Sequence, residues 1–486
     1  MWKSFAILLY ATSLFAGGRL ELNQNNVQLR MKQALKYLDD SQIKTDRLTD
    51  NLRLAGEWPS YVRGSLLPDG AVSAIYDSNA FVPMFVVYPL YWLDDSALDP
   101  TERRVRAMKQ LTVDMLTDRA KNGYLSANGE LNFWPTFQGF HGPQQIFHTL
   151  PFSRLLGPIF DIANDADDTS VFYITAQKHA RETGAPVRNA RDDFPAIFRW
   201  LDTGRFRSDT REAQWKPAGT GAFLTWLTNE DLPRNRQPIA FQLANNVDCT
   251  VVANVLYSLG LKGATDVPGY QDSCRLARTV IAQRQYPLCA FYYPPEWLYP
   301  YVISRAFRDG NNQCLAENAT TRDGATVNAM DTLVDQLLAG QQDGVWTDTA
   351  RWANDDADRN TTEPGFRGDP RSYSTALAIN SLLNLGPRWT GNAALSRRVQ
   401  LAVSQGITFL LNNAVEEDQK LFWQGGVFFS SSYQEVARWK SRPYTTAVVL
   451  EALLKYRMDY HRAEHTARPL ALTRDDVPVE WLRRKP

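Results

Sequence analysis

Between Asn164 and Ser170 the chain reads NDADDTS, which puts Asp165, Asp167 and Asp168 within four positions. Carboxylates this close cannot all ionise together, so at least one keeps its proton above its ordinary range. A carboxylic acid held neutral in a dry pocket can protonate an alkene or an epoxide. The carbocation that results needs no charged partner, only the negative faces of aromatic rings. Rings are abundant, at 14 Trp, 20 Tyr and 23 Phe. Those expected to meet a substrate are Trp134, Tyr293, Trp346, Trp352, Tyr373, Trp423 and Tyr444, with Trp58, Phe140 and Trp297 in similar loops. His141 or His148 is placed to hydrogen-bond the acid and tune it.

Two other uses of the acidic cluster stand beside this one. Aspartate is a good helix N-cap and suits the positive end of the helix dipole, although one cap accounts for one carboxylate rather than three. Asp161, Asn164, Asp165, Asp167 and Asp168 also offer hard oxygen ligands to calcium, without the spacing of an EF-hand loop. A second acidic run, NDDAD from Asn354 to Asp358, reads as a solvated loop. Alternatively it supplies the second carboxylate of a glycoside hydrolase, with tryptophans stacking on the sugar.

The elements that must position these residues repeat along the chain. NNVDCTVVANVLYSLGL, DPRSYSTALAINSLLNLG and SRPYTTAVVLEALLKY share turn residues followed by small and apolar residues nearly all round. A helix apolar on every face is a buried one. The stretch from Asp165 fits the same template, with Thr169, Thr250, Thr375 and Thr446 at matching positions. Segments from Tyr76 and Pro294 complete the set, although Pro83, Pro89 and Pro300 weaken them as helices. Amphipathic segments precede the buried ones, among them those from Gln28, Glu102, Cys274, Asn328 and Ser396. Six such pairs make an all-α (α/α)6 toroid with an inner and an outer ring. Loops rich in glycine and aromatics then enter the inner-helix N-termini at one mouth, where the dipoles favour acidic groups.

This pattern resembles the terpenoid cyclase and protein prenyltransferase toroids. The QQDGVW stretch, Gln341 to Trp346, looks like the glutamine-tryptophan repeat of squalene-type cyclases. Asp165-Ala166-Asp167-Asp168-Thr169-Ser170 is similar to the DxDD motif of class II terpene cyclases. The resemblance implies that Asp167, the middle aspartate, is the catalytic proton donor, with Asp165 and Asp168 holding its geometry. It also implies cyclisation of an isoprenoid, an isomerisation that needs no metal. Neither a DDxxD-type magnesium motif nor the prenyltransferase zinc set is present: Asp248 and Cys249 are adjacent, where the zinc set has an intervening residue.

The remaining features bound the setting. Formal net charge is zero, which argues against a nucleic-acid partner. MWKSFAILLYATSLFAGG has the lysine, apolar core and small residues of a signal peptide, residues 1–18, leaving 19–486 as a single domain in a secreted or periplasmic protein. Cys249, Cys274, Cys289 and Cys314 then allow two disulfides in any of three pairings. A hydrophobic or sugar substrate and peripheral membrane contact are expected. The alternatives are an exported carbohydrate-active toroid and a non-catalytic toroid that binds its ligand through calcium.

Overall fold

Segments that are apolar on every face do form buried helices. The structure is a computed structural model that describes residues 20–47, 52–64, 75–93, 102–118, 123–139, 142–145, 162–204, 215–227, 245–348, 369–390, 393–430 and 437–465. The expected signal peptide lies outside the described residues. So do Phe140, His141, His148, Trp352, Asp161 and the Asn354–Asp358 run.

In chain order the helices are α1 (Gln24–Ser41), α2 (Phe81–Val87), α3 (Glu102–Thr117), α4 (Ala166–Thr183), α5 (Cys249–Lys262), α6 (Tyr270–Ala282) and the short α7 (Tyr286–Cys289). They continue with α8 (Leu298–Arg308), α9 (Ala329–Ala339), α10 (Arg371–Thr390), α11 (Ala393–Asn412) and α12 (Arg442–His465). Helix α2 packs on α4, α4 on α5, α5 on α8, α8 on α10, α10 on α12, and α12 returns to α2. Against them lie the amphipathic helices: α1 on α12, α3 on α2 and α4, α6 on α5, and both α9 and α11 on α10. The molecule is mostly helical, all-α in class, with small sheets at its loops.

Between α4 and α5 the described residues include the 3-10 turn Phe194–Ile197 and a loop organised around Asp202. Its carboxylate accepts hydrogen bonds from the Thr220 hydroxyl (2.7 Å) and amide (3.0 Å) and from Lys216 (3.1 Å). One expectation needs correcting: the loops carry strands, which an all-helical reading did not include. Antiparallel hairpins join β1 (Tyr61–Gly64) to β2 (Ile75–Tyr76), β3 (Thr136–Gly139) to β4 (Gly142–Gln145), and β5 (Asn318–Thr320) to β6 (Thr326–Asn328). Others join β7 (Gln341–Gln342) to β8 (Val345–Trp346), β9 (Val415–Glu417) to β10 (Lys420–Phe422), and β11 (Val427–Ser430) to β12 (Ala437–Lys440). Tyr61 pairs with Lys440 and Val62 with Trp439, so one sheet runs in the order β11-β12-β1-β2 and ties the two ends of the chain together.

The prolines sit where a helix tolerates them. Pro83 and Pro300 each occupy the third position of their helix, where the amide hydrogen has no intrahelical partner to lose. At Pro89 the chain passes from α2 into the 3-10 turn Tyr88–Trp92. Among the described residues no helix is long and apolar enough to cross a membrane.

The four cysteines pair as Cys249–Cys289 and Cys274–Cys314, each bridge spanning 40 residues. The first ties the start of α5 to the end of α7, just ahead of the loop carrying Tyr292 and Tyr293.

Candidate active site

Helix α4 begins where Asp165, in an extended conformation, accepts a hydrogen bond from the Asp168 amide at 2.6 Å. Asp165 is thus the helix N-cap, and the Asp165 and Asp168 carboxyls are themselves hydrogen-bonded. Burial raises the carboxyls of both, and the charges of their acidic neighbours raise them further, Asp168 the more strongly. One shared proton on this pair is the physical resolution. The Asp168 Oδ1 atom is buried without a further partner. Thr169, one residue on, accepts from the Leu131 amide at 2.8 Å and so pins the incoming loop to the helix.

Asp167 faces a different set of groups. Its Oδ1 accepts from the Asn254 side-chain amide at 2.6 Å, and its Oδ2 contacts the Tyr293 hydroxyl. Asn254 lies on α5, whose N-cap is Asp248. One Asp248 oxygen accepts from the Thr250 and Val251 amides, and the other from the Tyr292 amide at 3.1 Å. That last bond holds the segment that places Tyr293 over Asp167. Beneath Asn254 lies Arg305, from the last turn of α8, with Nη2 3.0 Å from the Asn254 oxygen. Burial raises the Asp167 carboxyl above its usual range; the Tyr293 and Asn254 hydrogen bonds and the Arg305 charge pull it back.

Rings surround this acid. Tyr293 stacks on Phe81 with centroids 5.8 Å apart, and Phe81 on Phe428 at 5.6 Å. Phe428 meets Tyr444 edge-on at 5.0 Å, and the Tyr444 and Tyr373 hydroxyls are 3.1 Å apart. Phe429 touches Tyr293 at 5.8 Å and Trp439 at 4.9 Å. Trp134 and Trp439 each donate an indole hydrogen to Asp77, at 2.9 and 2.8 Å and on opposite oxygens. Asp77 is buried and pushed up to about 7 by that burial, against the lowering effect of the indole hydrogen bonds. Nearby Glu57, also raised to about 7 by burial, accepts from the Tyr76, Ser78 and Tyr124 hydroxyls.

The expected site residues therefore divide. Asp165, Asp167, Asp168 and Tyr293 form one cluster, and Tyr373 and Tyr444 join it through Phe81 and Phe428. Trp134 stands at the Asp77 wall. Trp346 and Trp423 do not join: each indole hydrogen goes to the last turn of the preceding outer helix, at Leu337 (2.7 Å) and Leu410 (2.8 Å). Trp58 does the same with Leu38 at 2.7 Å. The amides of Trp346 and Trp423 donate to Thr375 and Thr446 on the inner helices, both at 3.2 Å. Gln341 donates to the Ala402 carbonyl on α11 at 2.8 Å, so the QQDGVW stretch staples α9, α10 and α11 together. Trp297 donates to the Thr347 carbonyl at 2.9 Å. Glu296, just ahead of α8, pairs with Arg284 at 3.5 Å.

Sequence reading missed Asn254, Arg305, Asp77 and the phenylalanines Phe81, Phe428 and Phe429. A signal existed for two of them: Asn254 and Arg305 are polar residues in helices otherwise apolar all round, where an unpaired polar group is costly. Among the described residues no group of three or more His, Cys, Asp or Glu is arranged to hold a metal ion.

No protein-family model matches the chain, and no curated protein sequence does. Among solved structures it is similar to the apo form of the type II terpene cyclase MstE from Scytonema, with 12% identity and a TM-score of 0.51. That match covers 90% of this chain and 99% of the other. A single-residue variant of MstE in complex with geranylgeranyl dihydroxybenzoate, its substrate, matches with 12% identity and a TM-score of 0.50, covering 89% and 97%. A second substrate-bound variant matches with a TM-score of 0.51. At this identity the likeness concerns the fold, which is terpenoid-cyclase-like.

Proposed function

We propose that this chain is a protonation-initiated, type II cyclase of an isoprenoid, built on an (α/α)6 toroid, with Asp167 as the proton donor. The observation that carries the reading is the position of Asp167: buried, raised by desolvation, and in contact with Tyr293, from which Phe81, Phe428 and Tyr444 continue as one cluster of rings. Such a site holds its proton above the usual carboxylate range and offers ring faces, not water, to the cation. Asp165 and Asp168 engage each other and so leave Asp167 to face the ring interior. The substrate class follows from the same rings and from the prenylated aromatic acid bound by the MstE variants: a small hydrophobic molecule with a terminal alkene or epoxide. An oxidising compartment suits two disulfides, in keeping with export.

During the reaction the Asp167 O–H bond breaks as a C–H bond forms at the terminal alkene carbon. The O–H electron pair stays on the carboxylate and the alkene π pair makes the new C–H bond. Ring closure passes the positive charge along the chain until a proton is lost, so the product is an isomer of the substrate.

The test uses purified protein with geranylgeranyl dihydroxybenzoate and with free linear isoprenoids in heavy water. Expected is a product of unchanged composition apart from one incorporated deuterium, formed by the native chain and not by Asp167→Asn. Glycan cleavage lost in Asp167→Asn, with isoprenoids left untouched, would overturn the proposal in favour of carbohydrate chemistry.

A further inference from the structure

Arg305 is 1% exposed, reaches from α8 to rings on α2 and α5 and makes no ion pair among the described residues. An isolated buried cation is costly unless something replaces its hydration. Here four rings do, with centroids 4.6 Å from the guanidinium carbon at Tyr88 and Tyr301, 4.8 Å at Phe85 and 5.6 Å at Tyr257. Tyr301 also donates to Glu451 at 2.6 Å, which is paired with Lys455. Among the described residues the Arg305 Nε atom has no hydrogen-bond partner. Much has been assembled to keep a positive charge at this spot.

The arginine reaches Asp167 through one amide. A guanidinium only donates hydrogen bonds, so the Asn254 oxygen must face Arg305. The Asn254 nitrogen must then face Asp167, and the oxygen it meets, Oδ1, is an acceptor. A neutral Asp167 therefore carries its proton on Oδ2, beside Tyr293, whose hydroxyl donates to the ionised carboxylate and turns to accept from the acid, and whose ring packs on Phe81 and Phe429. We propose that Arg305 is a positioning residue for the acid: it locks the Asn254 amide, confines the transferable proton to Asp167 Oδ2 on the aromatic side, and stabilises the carboxylate left when that proton departs. This rests on the reading of Asp167 as the proton donor.

The charged and titratable groups facing Asp167 are Asp165 and Asp168 on its own helix, Asp248 at the start of α5, Tyr293 ahead of α8, Tyr444 on α12 and Arg305 on α8. All but Arg305 are acidic or phenolic. Removing its charge therefore leaves burial and acidic neighbours opposed only by the Tyr293 and Asn254 hydrogen bonds, and the acid form persists to higher pH.

The experiment is an infrared titration of the full chain without substrate, following the carbonyl stretch of protonated Asp167, identified as the band lost in Asp167→Asn. Arg305→Met is expected to move its midpoint up by at least about one pH unit, a tenfold fall in acid dissociation, and Arg305→Lys by less than half of that. In the pH profile of kcat, the alkaline limb of Arg305→Met moves the same way. An unchanged midpoint in a folded Arg305→Met protein overturns the proposal. Should that variant fail to fold, Arg305→Gln decides: a raised midpoint supports the role of the charge and an unchanged one overturns it. Because the titration needs no substrate, failure to cyclise isoprenoids would sink the proposed function without touching this result.

Discussion

Asp167 and Asp77 are both buried carboxyls raised by desolvation, yet they are held by opposite kinds of group. Asp77 is gripped by two indoles, one on each oxygen, and by the Asn79 amide at 3.1 Å. No charged group offsets its burial. Asp167 has one amide, one phenol and a cation beneath the amide. The difference separates two uses of a buried acid. Asp77 orients Trp134 and Trp439 and so builds a wall. In the proposed function Asp167 changes protonation state, with the Tyr293 and Asn254 hydrogen bonds and the Arg305 charge offsetting its burial.

The sharpest way to break this contrast is to replace each acid with its amide. Asp167→Asn should lower turnover at least about a thousandfold, within the range of general-acid contributions. Asp77→Asn should keep turnover within about tenfold while losing about 2 kcal/mol of stability, since one indole then meets an amide hydrogen. Equal losses of turnover in both variants would erase the distinction. Next in size is the Cys249–Cys289 bridge, which anchors the segment carrying Tyr293. Replacing both cysteines with serine should cost about 4 kcal/mol in denaturant unfolding, from the loop-closure entropy of a 40-residue span.

The pH dependence of stability sharpens the Asp77 side. Its folded pKa, about 7, lies above the ordinary aspartate value of 3.8, so the folded state binds the extra proton between these values. Its contribution is complete below pH 4 and lost as pH rises through 7, a slope of about 1.4 kcal/mol per pH unit. Urea unfolding across pH 4 to 7 should show this fall and a shallower one in Asp77→Asn. The smallest effect is expected outside both acids. Trp346→Phe removes the hydrogen bond to Leu337, should cost about 1 kcal/mol, and should leave the Asp167 titration where it was.

How much of this was legible beforehand depends on the kind of residue. The buried helices were, because a 3.6-residue period with no polar face leaves no other placement. NDADD stood out because crowded like charge is costly anywhere. The threonine repeat was visible, and Thr169, Thr375 and Thr446 each bind a preceding loop, although the Thr250 hydroxyl has no such partner. Tryptophans misled. Trp346, Trp423 and Tyr293 all read as large aromatics in loops near a mouth, and only the direction of each side chain separates a staple from a wall. Phe81, Phe428 and Phe429 carry no polar atom to mark them within an apolar run.

By itself the sequence determined the class of structure and the location of the crowded acids, since period and charge density are local properties of the chain. Which carboxyl is free to act was a tertiary decision. Asp165 and Asp168 are neighbours along one helix turn and pair with each other, whereas Asp167 takes its partners from Asn254, Tyr293 and Arg305. Those residues lie 87, 126 and 138 positions further on (254 − 167, 293 − 167, 305 − 167) and meet it only because α4, α5 and α8 are successive neighbours in the fold. A pKa is set by what lies within a few ångströms, and separation along the chain does not report that distance.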